Sequence, residues 1–479
     1  MGKNSIVSIM HISDLHKSPQ DSYESLFRSL IDDCDIYSAN GINKPDIVVV
    51  SGDLIKGGST NEIVTQYSEV KDFLEKIVEY FLEGKKEHIV IVPGNHDVNW
   101  NISKASMQKI SNTKENIDIF RSGIISTFRW SWEDLSLYEI NDAKLYMERI
   151  QSFAAFYNDF YTGIQTYPLE PKEQYQVFDL PDYGITFFAY NSCFENDNLN
   201  LAGSINPVCF SLSSTLADKY HNLGRLLIAV WHHGITGLPN ETNYMDKQIL
   251  ERMSDKHIKI GLFGHTHTCN VLNEYKSIFS DDKILLLGAG TVYGDRSSLP
   301  YRTGRQYNII QLAFNDDNIE LSFHSREDRS TEIYPIPVWG DGRIGISSQS
   351  EWCTTLPWQK TEISKQINFI MTEAEQKQDR AWGIQQLLKL DLNNTSVRSI
   401  LLEYLLEEKE YKKICEIFHS PVSNDEAIYL MESAEMMADL DMMKKMINVE
   451  YIKENADSAV KEKRQMISLF LRSKGYGAN

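Results

Sequence analysis

The chain has 479 residues, too many for one ordinary core and enough for two or three domains, with the charged (24%) and hydrophobic (42%) fractions of a soluble globular protein. Its formal net charge of −19 excludes a broad basic face for gripping long nucleic acid, so any such contact has to be local. The scattered cysteines (Cys34, Cys193, Cys209, Cys269, Cys353 and Cys415) form no C-x-x-C pair, and they read as free thiols of a reducing compartment rather than disulfides or a zinc knuckle.

In chain order, SIVSIMHIS, DIVVVS and HIVIVP read as buried strands. Between them DSYESLFRSLIDDCDIY and NEIVTQYSEVKDFLEKIVEYFL repeat apolar residues at three and four positions, as crossover helices do, with Pro45 and Gly57-Gly58 as punctuation. Residues 98–175 break this rhythm and read as a helical, aromatic-rich insertion, placed to wall one side of whatever lies at the preceding loop. Its aromatics are read as core before substrate platform. Strands resume with YGITFFAYNS, RLLIAVWHH, KIGLFGHTH, KILLLGAGTV, QYNIIQLAF and NIELSFHS, the last three read as an antiparallel meander. Residues 336–360, an irregular stretch with prolines and glycines, read as a linker that crosses or packs on the domain before it. From 361 to 479 only helical patterns follow, AWGIQQLLKL to VKEKRQMISLFLRS, suggesting stacked hairpins without a repeat signature of fixed period. Met436, Met437, Met442, Met443 and Met446 read as core filler, with a docking face as the alternative.

No apolar run approaches the roughly 18 residues of a membrane span. The first strand begins near Ser5, which leaves no room for a signal peptide, and Ile6 stands where a myristoylation motif wants Ser or Thr. The expectation is a cytoplasmic protein without a membrane partner.

Five of the apolar runs end in metal-binding side chains: Asp14-Leu15-His16, Gly52-Asp53, Gly94-Asn95-His96-Asp97, His232-His233 and Gly264-His265-Thr266-His267. Open α/β sheets place their sites at strand ends. Mixed His, Asp and Asn donors suit Mn, Fe or Zn better than Mg or Ca. Two such ions roughly 3.5–4 Å apart can activate water and neutralise phosphoryl oxygens.

The ordered pattern D-x-H, G-D, G-N-H-D, H and G-H-x-H resembles the calcineurin-like metallophosphoesterase superfamily. The resemblance implies an α/β fold, a β-sandwich flanked by helices, over a catalytic domain of residues 1–335, followed by an all-α, possibly repeat-like, C-terminal domain. It implies two divalent ions, Mn being the expected activator in vitro. Asp14, His16 and His267 would hold one ion, Asn95, His232 and His265 the other, and Asp53 would bridge them opposite an attacking hydroxide. His96 would donate to a phosphate or leaving oxygen, with Asp97 orienting it. His233 is expected as pocket wall. His11, His88, His221, His257, His324 and His419 are expected to be structural.

Arg296, Arg302 and Arg305, in the loop VYGDRSSLPYRTGRQYN beside Tyr293 and Tyr301, are candidates for clamping a phosphate or stacking on a base. Asn191-Ser192 ends the FFAYNS strand and is a weaker candidate for the same region. Phosphoprotein phosphatases look like G-D-x-V-D-R-G and R-G-N-H-E. The present GDLIKGG and PGNHD lack those arginines and look more like the phosphodiesterases acting on cyclic nucleotides or glycerophosphodiesters, with some likeness to Mre11/SbcD nucleases. The expected activity is hydrolysis of a nucleotide, cyclic nucleotide or other small phosphodiester. The alternatives are a nuclease acting on DNA or RNA with a partner protein, and a sensor or effector regulated through partner binding or self-association by the helical tail.

Overall fold

Apolar runs bounded by turn residues become strands in the middle of the two large sheets, where both faces are covered. The computed structural model describes residues 6–16, 22–123, 127–222, 224–237, 242–276, 283–294, 299, 303–315, 318–331, 336–357, 360–455 and 457–476. It divides into two compact units, 1–359 and 360–479.

The strands of the first unit are β1 (Ile6–Ile12), β2 (Ile47–Val50), β3 (Ile89–Ile91), β4 (Met107–Ile110), β5 (Phe128–Ser131), β6 (Ser136–Ile140), β7 (Tyr175–Leu180), β8 (Ile185–Tyr190), β9 (Leu226–Val230), β10 (Ile258–Phe263), β11 (Asn270–Lys276), β12 (Lys283–Gly288), β13 (Gln306–Phe314), β14 (Asn318–Asp328), β15 (Trp339–Asp341) and β16 (Glu351–Pro357). One sheet runs β15-β14-β13-β1-β2-β3, with β16 also on β14; a second runs β11-β12-β10-β9-β8-β7. The β1-β2-β3 ladder is parallel, as is β8-β9-β10-β12. Helices α1 (Tyr23–Asp35) and α2 (Thr60–Leu82) supply the crossovers between the parallel strands β1, β2 and β3.

Period-two alternation divides the side chains of the second sheet between two cores. Phe187, Ile228, Val230, Ile260, Leu262, Leu285 and Leu287 join one cluster with Ile9, Val49 and Val90 of the first sheet. Their neighbours Phe188, Leu227, Ala229 and Leu286 join another with Cys209 and Leu250 from helices Pro207–Asn222 and Gln248–Asp255. The result is a sandwich of two sheets with helices outside, the architecture that the motif order implied.

The structure corrects three expectations. KILLLG is not part of a meander: β12 lies in the second sheet beside β10, while only β13 and β14 form a hairpin, pairing from Gln306 opposite Glu327 to Phe314 opposite Ile319. The hairpin's other neighbour is β1, near the start of the chain. Residues 336–357 pack on the first unit not as an irregular linker but as β15 and β16, which extend the first sheet along β14. The inner face of β16 is short, Trp352, Thr354 and Leu356 alternating with exposed Glu351, Cys353, Thr355 and Pro357, and only Trp352 and Leu356 pack on the core. The insertion is helical at Trp100–Ala105, Lys114–Ser122 and Gln151–Phe160, but between them β4, β6 and β5 form a small antiparallel sheet.

In the second unit the helices Lys360–Lys377, Arg380–Leu387, Thr395–Glu407, Tyr411–Ile417, Asn424–Met436, Leu440–Met446, Glu450–Lys453 and Ser458–Ser473 enclose a core of its own, including Leu401, Leu405, Phe418, Leu430 and Met431. Asp379, Ser423, Asp439 and Asp457 cap helix starts through their side chains. Met443 and Met446 fill the core, whereas Met436 is 69% exposed. Among the described residues no helix is long and apolar enough to cross a membrane.

Candidate metal centre

Three of the parallel strands, β1, β2 and β10, deliver their polar residues through a sharp backbone reversal. Asp14, Asp53, His265 and His267 all sit at positive φ, between 54° and 68°, where residues with a Cβ are disfavoured. Such strain persists where the surroundings over-determine it. Asp14 is held through its own peptide groups: its N–H donates to Gly52 O at 3.0 Å, and its carbonyl accepts from Thr291 Oγ1 at 2.9 Å. Gly94 is needed for a different reason. A Cβ there would lie 2.8 Å from Asp53 Cγ and closer still to Asp53 Oδ1 and N, so only glycine lets these two strand ends meet.

The reversals bring the motif residues together. Donor atoms of Asp14, His16 and His267 lie within 4.8 Å of one another, as do those of Asp53, His232 and His265. A third group, His16, Asp53 and His96, joins the two. Asn95 belongs with the second set, its Oδ1 lying 3.0 Å from His232 Nε2 and 2.9 Å from His265 Nδ1. Asp53 Oδ2 stands 3.2 Å from His232 Nε2, while its Oδ1 accepts from the His96 peptide N–H at 2.8 Å.

The donor set fits divalent cations. His232 Nδ1 lies 2.8 Å from Ser51 O, a carbonyl that only an N–H can satisfy, so the Nε2 lone pair points to Asn95, Asp53 and His265. Asp14 Oδ1, His16 Nε2 and His265 Nε2 are buried without a hydrogen-bond partner. Converging acceptors and orphaned buried atoms are costly unless a cation completes them.

The proton balance of the metal-free chain agrees. Burial by itself would raise Asp14 and Asp53, but His267 and His16 around the first, and His232 and His96 around the second, hold both carboxyls well below the usual range. Burial disfavours a charge on His232, yet the Asp53 carboxylate overcomes it and pushes the ring up to about 9. Burial and the neighbouring His232 push His265 down to about 4. The carboxylates are thus ionised, and a proton gathers on His232, where the acceptors converge.

Asp97 does not orient His96, contrary to expectation. Its buried carboxylate accepts from Gly94 N at 2.8 Å, Leu54 N at 3.2 Å and Tyr67 Oη at 2.9 Å, fastening two strand-end loops to α2. The His96 ring instead meets the Lys56 carbonyl, with Nδ1 at 3.2 Å. Tyr67 carries no sequence signal for this role, since it reads as one more apolar position of a helix. His233 is buried behind the donor sets against Ser192 Oγ at 2.9 Å and Asn196 Nδ2 at 3.4 Å. Ser192 also accepts from the peptide N–H groups of His232 and His233, both at 3.2 Å, so it braces that strand end; Asn191 donates to Gln174. His11 is buried against Ser51 Oγ.

Arg305 is also corrected. It is 3% exposed, its Nε donates to Gly294 O at 3.0 Å, and its guanidinium lies 4.7 Å over the Tyr293 ring, so it braces the loop beside His16 instead of reaching for substrate. Arg296 and Arg302 lie outside the described residues.

Two clefts open beside the centre. The first, of about 430 Å³, is lined by His16, Tyr23, Ile55, Lys56, Asn61 and Gln66 among others. The second, of about 270 Å³, includes Lys56, Asn95, His96, Trp100, Asn101 and Lys104. They share Lys56 and Gly57.

Among known proteins, the family model of calcineurin-like phosphoesterases matches residues 7–269. No curated protein matches the chain. Solved structures similar to it include a dimetal phosphatase from Danio rerio (10% identity, TM-score 0.36, covering 66% of this chain and 95% of that one). Vps29 from Entamoeba histolytica gives 11% identity, a TM-score of 0.27 and coverage of 74% and 100%. Vps29 from Chaetomium thermophilum gives 9%, 0.26, 74% and 97%. Overlap this loose says nothing about substrate. The family match, spanning more than half of the chain and every strand-end motif from Asp14 to His267, establishes that the chain belongs to the calcineurin-like phosphoesterases.

Proposed function

We propose that this chain is a phosphodiesterase with a dinuclear metal centre, acting on a nucleotide, cyclic nucleotide or other small phosphodiester. One observation carries the choice of a diester: two clefts of a few hundred Å³ meet at Lys56, one with His16 in its wall and the other with Asn95 and His96. A phosphorus bound beside His16 and His96, where the two clefts adjoin, would direct one substituent into each, whereas a monoester leaves one cleft without a role. Trp100, 37% exposed in the second cleft, offers a ring face for a base or other aromatic group.

Asp14, His16 and His267 would hold one ion and Asn95, His232 and His265 the other, with Asp53 between them. When bound, the ions supply Lewis acidity and an activated water. The protein side chains do the rest. Lys56 and Lys104 place positive charge along the second cleft. With the His96 Nδ1–H on the Lys56 carbonyl, the doubly protonated ring keeps its second N–H on Nε2 and gives that proton to the leaving oxygen as the P–O bond breaks.

The test is one substrate panel run with Mn: a bis-aryl phosphate, an aryl monophosphate, cyclic nucleotides, single-stranded DNA, duplex DNA and RNA. Small diesters should be hydrolysed fastest. A preference for the monophosphate would overturn the diester reading. Cleavage of polymer that falls steeply with salt would point to a nuclease instead.

A further inference from the structure

We infer that Gln66, on α2, is the positioning residue that sets the orientation of His96, acting through the backbone of the Lys56–Gly57 loop. The inference rests on the role proposed for His96 above and deepens it.

The His96 ring is held by Lys56 O, with Nδ1 at 3.2 Å. A carbonyl has no proton to give, so this contact requires a hydrogen on Nδ1 and directs Nε2 to the substrate, where the ring donates a proton in its doubly protonated form. Its value depends on how firmly that carbonyl is placed. The loop that carries it continues into Gly57 and Gly58, at φ +82° and +133°, residues with the widest choice of backbone conformation. Nothing in that local sequence fixes the Lys56 peptide plane.

Gln66 supplies the missing constraint. Its Oε1 accepts from Lys56 N–H at 2.7 Å and its Nε2 donates to Gly57 O at 2.9 Å. The peptide group bearing Lys56 O lies between these two anchored groups, so one side-chain amide clamps it from both sides. Both ends of the amide are used, as in a rung of a sheet, and an isosteric apolar side chain cannot replace them. The clamp is rooted in a 23-residue helix with Ile63, Tyr67 and Val70 buried on either side of the half-buried Gln66. Tyr67, the next residue, ties Asp97 to the same helix. From two successive positions α2 thus holds the loop that meets the His96 ring and the loop that carries it.

The experiment compares wild type, Gln66→Ala, Gln66→Met, His96→Ala and the Gln66→Met/His96→Ala double variant. Each is assayed with Mn on bis(nitrophenyl) phosphate, whose leaving group departs readily, and on diphenyl phosphate, whose leaving group needs a proton. Metal content and melting temperature are measured alongside, and Gln66→Met keeps side-chain length if the alanine variant folds poorly. His96→Ala should lower kcat much more on diphenyl phosphate than on the nitrophenyl diester. The Gln66 variants should reproduce that selectivity, with a kcat loss on diphenyl phosphate of about tenfold, part of the 10²–10⁴ typical of proton-transfer catalysis. KM and metal content should stay unchanged, and the double variant should be no slower than His96→Ala. Equal losses on both substrates, or losses that multiply in the double variant, would overturn the role of Gln66 while leaving that of His96 intact. Absence of selectivity in His96→Ala itself would overturn both.

Discussion

Gly94→Ala tests whether the centre depends on two strand ends meeting without a side chain between them. The added Cβ would stand 2.8 Å from Asp53 Cγ and nearer to Asp53 Oδ1 and N, against 3.4–4 Å for ordinary contact. The obstructing atoms are no flexible side-chain end. Asp53 is 1% exposed, its Oδ1 is held by the His96 peptide and its Oδ2 faces His232. Relief therefore requires Asp53 and the Gly94–Asn95 turn to part by about 1 Å, and a misplacement of that size can cost about 10²-fold in rate. Overpacking of this kind also destabilises by about 1–3 kcal/mol. Gly94 has φ −114°, an ordinary value, so the effect is one of space and not of backbone preference. The assay is kcat/KM on bis(nitrophenyl) phosphate with Mn, with metal content by mass spectrometry and the melting transition as a control. The expected result is a folded protein that has lost about a hundredfold or more in rate and part of its metal. A folded variant with full metal and a rate within a few-fold of wild type would refute the reasoning.

Asp53→Asn keeps the shape of the residue between the two donor sets but removes its charge. Turnover should fall more than about a hundredfold and metal content should drop, whereas activity that persists in chelator would sink the dinuclear reading. Asp97→Asn addresses the buried staple. In the metal-free protein, burial and the neighbouring Asp53 push the Asp97 carboxyl up to about 7. Between the usual carboxylate range and 7 the unfolded chain has released a proton that the folded chain keeps, so this group makes stability fall as pH rises through that window. The Asn variant lacks the effect. Its melting temperature in chelator, relative to wild type, should therefore rise between about pH 5 and pH 8. A difference independent of pH would mean that Asp97 does not titrate there.

Much of the architecture was legible because it follows from local pattern. Runs such as DIVVVS and KIGLFG are apolar without alternation, the mark of strands covered on both faces, and each ends on a residue type that water or a metal must satisfy. What failed were readings that needed a neighbour. KILLLG looks like the first strand of a meander with the two strands that follow it until its partners are known, and those are β10 and β11. Glu351–Pro357 turns only Trp352 and Leu356 to the core, too short a pattern to show that it pairs with β14. Arg305 reads like a free guanidinium in a polar loop, yet Tyr293 and the Gly294 carbonyl enclose it.

By itself the sequence determined the family, the sandwich of sheets with outer helices, and the placing of Asp, Asn and His side chains directly after buried strands. Those properties depend on hydrophobic period and residue order, which are written along the chain. Only the tertiary structure decided which groups those side chains serve. Asp97 is adjacent to His96 in sequence but fastens Leu54, Gly94 and Tyr67, while the His96 ring is held by a carbonyl from a loop that Gln66 clamps. A hydrogen bond is settled by distance and direction in space, and backbone carbonyls, present at every residue, leave no mark in a sequence.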